Sequence, residues 1–304
     1  MAEVGLVVMA YGTPASPDDI EAYYTHIRRG HAPTPEQLAD LTARYQAIGG
    51  TSPLAERTEA QRAGLAAALE QSEPGRWAVA LGQKHAAPFI EDAVAALADA
   101  GVAHIVGLVL APHYAAASVG QYQERLHAAA AERGLPSAAV DSWHLEPAYL
   151  ALLADAVREG LARLPERTKV LFTAHSLPER ALVGDPYPDQ LRASATAVAE
   201  TVGLARWAGW SVAYQSAGRT ADPWRGPDIL AVLDELAASG RADGVLVCPQ
   251  GFVSDHLEVV YDLDIEARRR ADGLGLAFAR TRVCNDDPVV LAALAARVQA
   301  LAPA

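Results

Sequence analysis

At 304 residues, 51% of them hydrophobic, the chain can bury a large core and is expected to divide into two lobes of ordinary domain size. A net charge of −12 disfavours nucleic acid as a partner, since phosphate binding needs a basic surface, and any anionic ligand must find a local patch. The start has no basic n-region and its apolar run breaks early, so neither a secretory signal nor a membrane span is expected, and the expected compartment is the cytoplasm.

Short Val/Leu/Ala-rich runs alternate with longer helical patterns, which points to repeated βα units around parallel sheets. In chain order the patterns predict a strand at Gly5 to Ala10, a helix at Glu59 to Gln71, a strand at Trp77 to Leu81 and a helix at Glu91 to Ala100. A strand follows at Ile105 to Leu110, then helices at Gln121 to Arg133 and Tyr149 to Arg163. The second half continues with a strand at Lys169 to Thr173, a helix at Pro188 to Val202, a strand at Trp210 to Tyr214 and a helix at Pro227 to Ser239. Strands at Gly244 to Cys248 and Leu276 to Arg280 and a helix at Pro288 to Leu301 complete the pattern. Cys248 and Cys284 are the only cysteines and form no C-x-x-C pair, which argues against a disulfide framework, a Cys-rich zinc site or a cysteine-ligated cluster; both are expected to pack.

Two stretches follow one plan. Met9-Ala10-Tyr11-Gly12-Thr13-Pro14 and Thr173-Ala174-His175-Ser176-Leu177-Pro178 each end a strand in Ala, a side chain able to bind metal, a small residue and, within three positions, a proline. Val109-Leu110-Ala111-Pro112-His113-Tyr114 similarly echoes Val247-Cys248-Pro249-Gln250-Gly251-Phe252. Two related halves would put Tyr11 and His175 at equivalent strand ends, facing across a cleft suited to a flat ligand. Polar residues recur just past the strand ends: Tyr11 and Thr13, Lys84 and His85, His113 and Tyr114, His175 and Ser176, Gln215 and Ser216. Open α/β sheets bind ligands at that edge. No G-x-x-x-x-G-K-[ST] loop and no G-x-G-x-x-G turn follows a strand, so the expected fold is Rossmann-like without a nucleotide. Among basic residues that are nearly all arginine, Lys84 stands out; Lys169 is the only other lysine.

The segment from Gly251 to Glu266 spaces Glu258, Asp262 and Glu266 four apart, which lines three carboxylates along one helical stripe with Asp255 at its start. Such a row can pass a divalent cation or protons. An ordinary amphipathic helix, with Val259, Val260, Leu263 and Ala267 inward, explains the same pattern.

The chain resembles ferrochelatases along essentially its whole length. The resemblance rests on Tyr11-Gly12-Thr13-Pro14, Tyr24-Thr25-His26-Ile27-Arg28-Arg29-Gly30, Gly49-Gly50-Thr51-Ser52-Pro53-Leu54, Ala174-His175-Ser176-Leu177-Pro178-Glu179, Gly184-Asp185-Pro186-Tyr187-Pro188 and Asp255-His256-Leu257-Glu258. The first two segments look most like the coproporphyrin III enzymes of Gram-positive bacteria. The resemblance implies two similar Rossmann-like lobes, each a parallel β-sheet flanked by helices, with an active-site cleft between them. The expected division is 1–114 with the terminal helix 286–304, against 115–285 carrying the catalytic pair. It implies a lyase-class metal chelatase of haem biosynthesis that inserts Fe²⁺ into coproporphyrin III and releases two protons. Iron is then a substrate, no permanently bound cofactor is expected, and the absence of a cysteine-bearing C-terminal extension argues against a [2Fe-2S] cluster. A monomer without stable membrane insertion is expected, with transient contacts to neighbouring haem-pathway enzymes.

By the same resemblance, His175 and Glu258 form the catalytic and metal-binding pair: His175 as proton acceptor, transient iron ligand or both, with Glu258 orienting it and taking protons onward. An unperturbed imidazole is largely neutral near pH 7 and suits either role. Tyr11 would be an axial ligand of the product, phenolate being a good ligand for ferric iron. Asp262 and Glu266 would form a transit or secondary metal site. Tyr11, Thr13, Arg28, Arg29, Ser52, Lys84 and Tyr122 would bind the porphyrin or line a metal path, arginine offering paired donors to propionates. His85 and His113 are secondary candidates, and His256 is expected to pack beside Glu258. Three alternatives stay open: a protoporphyrin IX ferrochelatase, a cobalt or nickel chelatase for a sirohydrochlorin-type ring, and a non-catalytic haem carrier using Tyr11.

Overall fold

In a computed structural model that describes residues 2–205, 209–218 and 220–303, the chain alternates strands and helices nearly throughout. The strands are β1 (Val4–Ala10), β2 (Trp77–Gln83), β3 (His104–Val109), β4 (Ser137–Val140), β5 (Thr168–His175), β6 (Trp210–Gln215), β7 (Gly244–Cys248) and β8 (Ala277–Arg280). The first five helices are α1 (Ile20–Ile27), α2 (Pro35–Ala47), α3 (Leu54–Ser72), α4 (Ile90–Asp99) and α5 (Gln121–Glu132). They are followed by α6 (Pro147–Leu161), α7 (Tyr187–Val202) and α8 (Ile229–Ser239). A one-turn α9 (Leu257–Val259), a π-helical stretch Val260–Ala267 and α10 (Arg268–Gly273) run without a break, and α11 is Pro288–Gln299.

Every named strand pair is parallel, and the two four-stranded sheets have the same order, β2-β1-β3-β4 and β6-β5-β7-β8. β1 and β5 therefore hold equivalent central positions. Strand order reverses beside each, and open α/β sheets place ligands at that switch point. Burial explains the central strands: all seven residues of Val4–Ala10 are buried, so β1 reads as an unbroken apolar run rather than an alternating one.

The chain forms two compact units, 1–111 with 118–141 and 285–304, and 112–117 with 142–284. The sequence-based division at 114 is corrected here. α5 and β4 belong to the first unit because β4 pairs with β3, Ile105 opposite Ser137 through Leu108 opposite Val140. With only four residues, Ser-Ala-Ala-Val, β4 is too short for a periodicity reading, which does not predict α1 or α2 either. α2 starts in a capping box, with Thr34 Oγ1 accepting from the Gln37 amide and Pro35 in the first turn. The terminal helix returns to the first unit. α11 buries Val290, Leu291, Leu294, Ala295 and Val298, and it meets α3 at Gly64, where a Cβ would collide with the Leu291 side chain. Cys248 and Cys284 are both buried free thiols.

Among the described residues, no helix is long and apolar enough to cross a membrane.

Candidate active site

The first unit gathers its candidates around the end of β1. Gly12 turns the chain with φ +93°, a conformation that side chains rarely adopt, and a Cβ there would lie 2.9 Å from Ala86. The turn leaves Tyr11 43% exposed while the backbone stays tied to the neighbouring strand. Lys84 N–H donates to the Ala10 carbonyl and His85 N–H to that of Tyr11, each at 2.9 Å. The His85 ring packs 4.6 Å from the Tyr11 ring, and its Nδ1 lies 3.1 Å from His26 Nδ1. Burial, then the charges of Lys84, His26 and Arg125, pull His85 down to about 3, so it stays neutral across the physiological range.

Lys84 donates to Gln121 Oε1 at 2.6 Å and sits 5.0 Å over the Tyr122 ring. Burial and the nearby Arg125 and Arg29 lower it to about 8, which makes its ammonium readily stabilised by an arriving anion. Arg29 is exposed and left-handed at φ +56°; half-buried Arg28 donates to the His31 carbonyl at 3.2 Å and lies 5.6 Å from the Tyr24 ring. Three of the substrate-binding candidates are less open than expected. Thr13 is buried with its hydroxyl 3.4 Å from that of Tyr45, and Ser52 is buried accepting from the Leu54 amide at 3.2 Å. Tyr122 is 5% exposed, its ring serving as a face for Lys84.

In the second unit, His175 ends β5 and Glu258 lies in α9, after β7. His175 Nε2 is 3.4 Å from Glu258 Oε1, and His256 Nε2 is 3.6 Å from the other carboxylate oxygen. The backbone fixes the His175 ring on its far side: Nδ1–H donates to the Ser176 carbonyl, while Tyr187 Oη–H donates to the His175 carbonyl at 3.1 Å. Burial alone would lower the His175 pKa, but the Glu258 carboxylate, the Ser176 carbonyl and Asp262 outweigh it and raise the group to about 9. Burial would raise Glu258, yet His175 and His256 hold it well below the usual carboxylate range. The expectation of a neutral imidazole is therefore corrected. The Glu258 carboxylate, which the resemblance pairs with His175, lies within reach of Nε2 and favours the imidazolium over the neutral ring.

The acidic segment is not a plain α-helix. Its π-helical turn is wider than the 3.6 residues of an α turn, so residues four apart lie closer to one line, and such turns concentrate at functional sites. Leu263 and Ala267 are fully buried on the inner face, as the amphipathic reading required, but Asp262 is buried as well, at 6% exposed. A solvated acidic face does not account for it. Ser216 Oγ–H donates to Asp262 Oδ2 at 2.5 Å, and Gln215 Nε2–H donates to the Glu258 carbonyl at 2.9 Å. Asp255, expected at the head of the row, instead pairs with Arg280 at 3.1 Å, and the same guanidinium grips Asp264 at 2.8 and 2.7 Å. Arg280 thus joins both ends of the segment that carries Glu258 and Asp262.

His113 lies in the core of the second unit. It is 3% exposed, with Nε2 2.8 Å from Ser194 Oγ, which donates on to Gln250 Oε1 at 2.9 Å. Burial lowers it to about 3, so it is a neutral core residue. Tyr187, Gln215, Ser216 and Arg280 were not assigned roles from sequence, although Tyr187 falls in a motif and Gln215-Ser216 follow a strand.

The ferrochelatase family model matches residues 3–301. The chain belongs to the ferrochelatase family. It is 45% identical to the coproporphyrin III ferrochelatase of Geobacillus kaustophilus over 97% of this chain and 94% of that protein. It is 43% identical to the coproporphyrin III ferrochelatase of Bacillus subtilis, covering 96% of each, and 43% identical to a ferrochelatase of Herpetosiphon aurantiacus, covering 94% and 95%. Among solved structures, SirB from Bacillus subtilis with Fe³⁺ matches with a TM-score of 0.59 at 14% identity, covering 98% of this chain and 95% of that one. CbiX, described as the terminal enzyme of siroheme biosynthesis in denitrifying bacteria, matches at 0.56 and 16% identity, covering 99% and 100%. At these identities the likeness is one of fold, and the ferrochelatase motifs carry the chemistry.

Proposed function

We propose that this ferrochelatase inserts Fe²⁺ into coproporphyrin III, giving coproheme and two protons. The observation that carries the reading is the His175–Glu258 pair, set at a strand end with a line of carboxylates leading from it. Metallation requires two pyrrole N–H protons to leave while a hydrated dication sheds water, and both need groups held beside the ring. His175 accepts protons, ligates iron transiently or does both; Glu258 orients it and passes protons along Asp262 and Glu266. Since His175 starts as an imidazolium, it must first lose its proton. A dication arriving beside Glu258 competes for that carboxylate and disfavours the imidazolium, so loading the metal readies the base.

In the first unit, Tyr11 serves as axial ligand of the oxidised product. Lys84, Arg28 and Arg29 take propionates, and Thr13, Ser52 and Tyr122 shape their surroundings. The partly buried Lys84 favours a substrate with many carboxylates, as do the names of the Geobacillus and Bacillus relatives. The pair of near-adjacent proton carriers favours an enzyme over a carrier.

The test is anaerobic incubation of the purified protein with Fe²⁺ and either coproporphyrin III or protoporphyrin IX, followed by absorbance. Faster metallation of coproporphyrin III is expected, and its loss in His175→Ala with porphyrin still bound. Preference for protoporphyrin refutes the narrower assignment. No metallation, with porphyrin binding intact in parent and variant alike, refutes the enzymatic reading.

A further inference from the structure

At the end of β6, where the chain leaves the sheet, Ser216 adopts φ +59°, in the left-handed region. Glycine enters that region freely and asparagine with little difficulty, but serine has no such ease. A glycine there would relieve the backbone, so the side chain must supply something. The conformation directs the Ser216 hydroxyl onto Asp262 Oδ2 at 2.5 Å, a length typical of a hydroxyl bound to a charged acceptor.

The residue before it makes the corner rigid. Gln215 lies opposite His175 in the sheet, and its carbonyl accepts from the Ser176 amide at 2.8 Å. Its side chain, 1% exposed, donates to the Glu258 carbonyl at 2.9 Å. Two consecutive residues therefore tie the His175 strand to the backbone of Glu258 and to the carboxylate of Asp262. This corner differs from the Arg280 clamp, which binds Asp255 and Asp264.

We propose that Ser216 is a positioning residue for metal insertion, holding the Asp262 carboxylate in one orientation so that it hands iron or protons on to Glu258 and His175. The strained backbone is the cost of that aim. A hydroxyl bound to one oxygen also makes the carboxylate a weaker ligand, which suits a group that must release what it receives. The inference rests on the reading of the acidic row as a transfer path.

The experiment compares Ser216→Gly, Ser216→Thr and Asp262→Asn with the parent, measuring the KM for Fe²⁺, kcat with coproporphyrin III and the thermal midpoint. Glycine relieves the backbone and removes the hydroxyl. Its midpoint should match or exceed that of the parent, while kcat/KM for iron falls about 10- to 100-fold, as is usual when the partner of a metal-handling carboxylate is lost, and the KM for porphyrin stays unchanged. Threonine restores the hydroxyl on a β-branched side chain that fits the left-handed region poorly, so it should be less stable than the glycine variant yet recover most of the rate. Full iron kinetics in Ser216→Gly overturns the proposal, as does a threonine variant no faster than glycine. If Asp262→Asn matches the parent, the transfer-path reading fails and takes this one with it. If Asp262→Asn is slow and Ser216→Gly is not, only the role of Ser216 falls.

Discussion

Replacing Glu258 with Gln tests the electrostatic core of the site. The substitution keeps the shape and the acceptor oxygen but removes the charge that outweighs burial at His175. Raising a histidine from 6.5 to about 9 favours the imidazolium by at most about 3 kcal/mol. The side chains of the pair keep 35% and 36% of their surface open, so water screens it and about 1–2 kcal/mol is the working figure. Because the folded-state value of His175 lies above 6.5, this stabilisation is full below pH 6.5 and is lost as pH rises through about 9. Glu258 is shifted the other way, so its share is present above its ordinary value of 4.5 and is lost as pH falls below it. In Glu258→Gln both limbs should disappear. NMR of ¹³C-labelled histidine, with the His175 resonance assigned by its absence from His175→Asn, should show its midpoint falling from about 9 to 6.5 or lower. The alkaline decline in thermal midpoint should flatten by about 2–4 °C. An unchanged His175 midpoint in the variant would refute the assignment of Glu258 as its controlling charge.

Arg280→Lys should also be damaging, since one ammonium cannot replace a fork that grips Asp264 through two nitrogens and reaches Asp255. With the guanidinium side chain only 15% exposed, we expect a loss of about 2–4 kcal/mol in urea unfolding, and a parent-like midpoint would count against the clamp. Lys84 at about 8 predicts that porphyrin affinity weakens as pH rises past that value. Fluorescence-quenching titrations from pH 6.5 to 9.5 should show the weakening in the parent and a flatter profile in Lys84→Gln; parallel profiles would remove Lys84 from propionate binding.

Much of this was legible in the sequence because β1 is uniformly apolar, β5 carries an apolar run at its centre, and each leads into a polar side chain at its carboxyl end. That pattern located β1 and β5 and placed Tyr11 and His175 at matching strand ends. The acidic spacing of Glu258, Asp262 and Glu266 was equally plain, although not the π-helical form that carries it. What stayed hidden depends on long-range pairing. β4 is four residues long and is defined only by its neighbour β3. Arg280 reads as one more arginine in an arginine-rich chain until two carboxylates are found on it. The sign of the His175 shift needed a distance to a residue 83 positions away, and no local pattern encodes that.

The return of α11 to α3 bears on how the protein is made. The unit that carries Tyr11 is assembled from three separate stretches, the last of them 285–304, whereas the unit that carries His175 is nearly continuous from 142 to 284. Domains usually mature in order of synthesis, the N-terminal one first. Here that order is inverted at its final step. The leading unit keeps the face of α3 around Gly64 uncovered on the α11 side until translation has passed the whole of the trailing one. Once residue 284 has left the ribosome but 285–304 has not, the His175 unit can be complete while the Tyr11 unit still has an apolar flank open, a target for chaperones during synthesis.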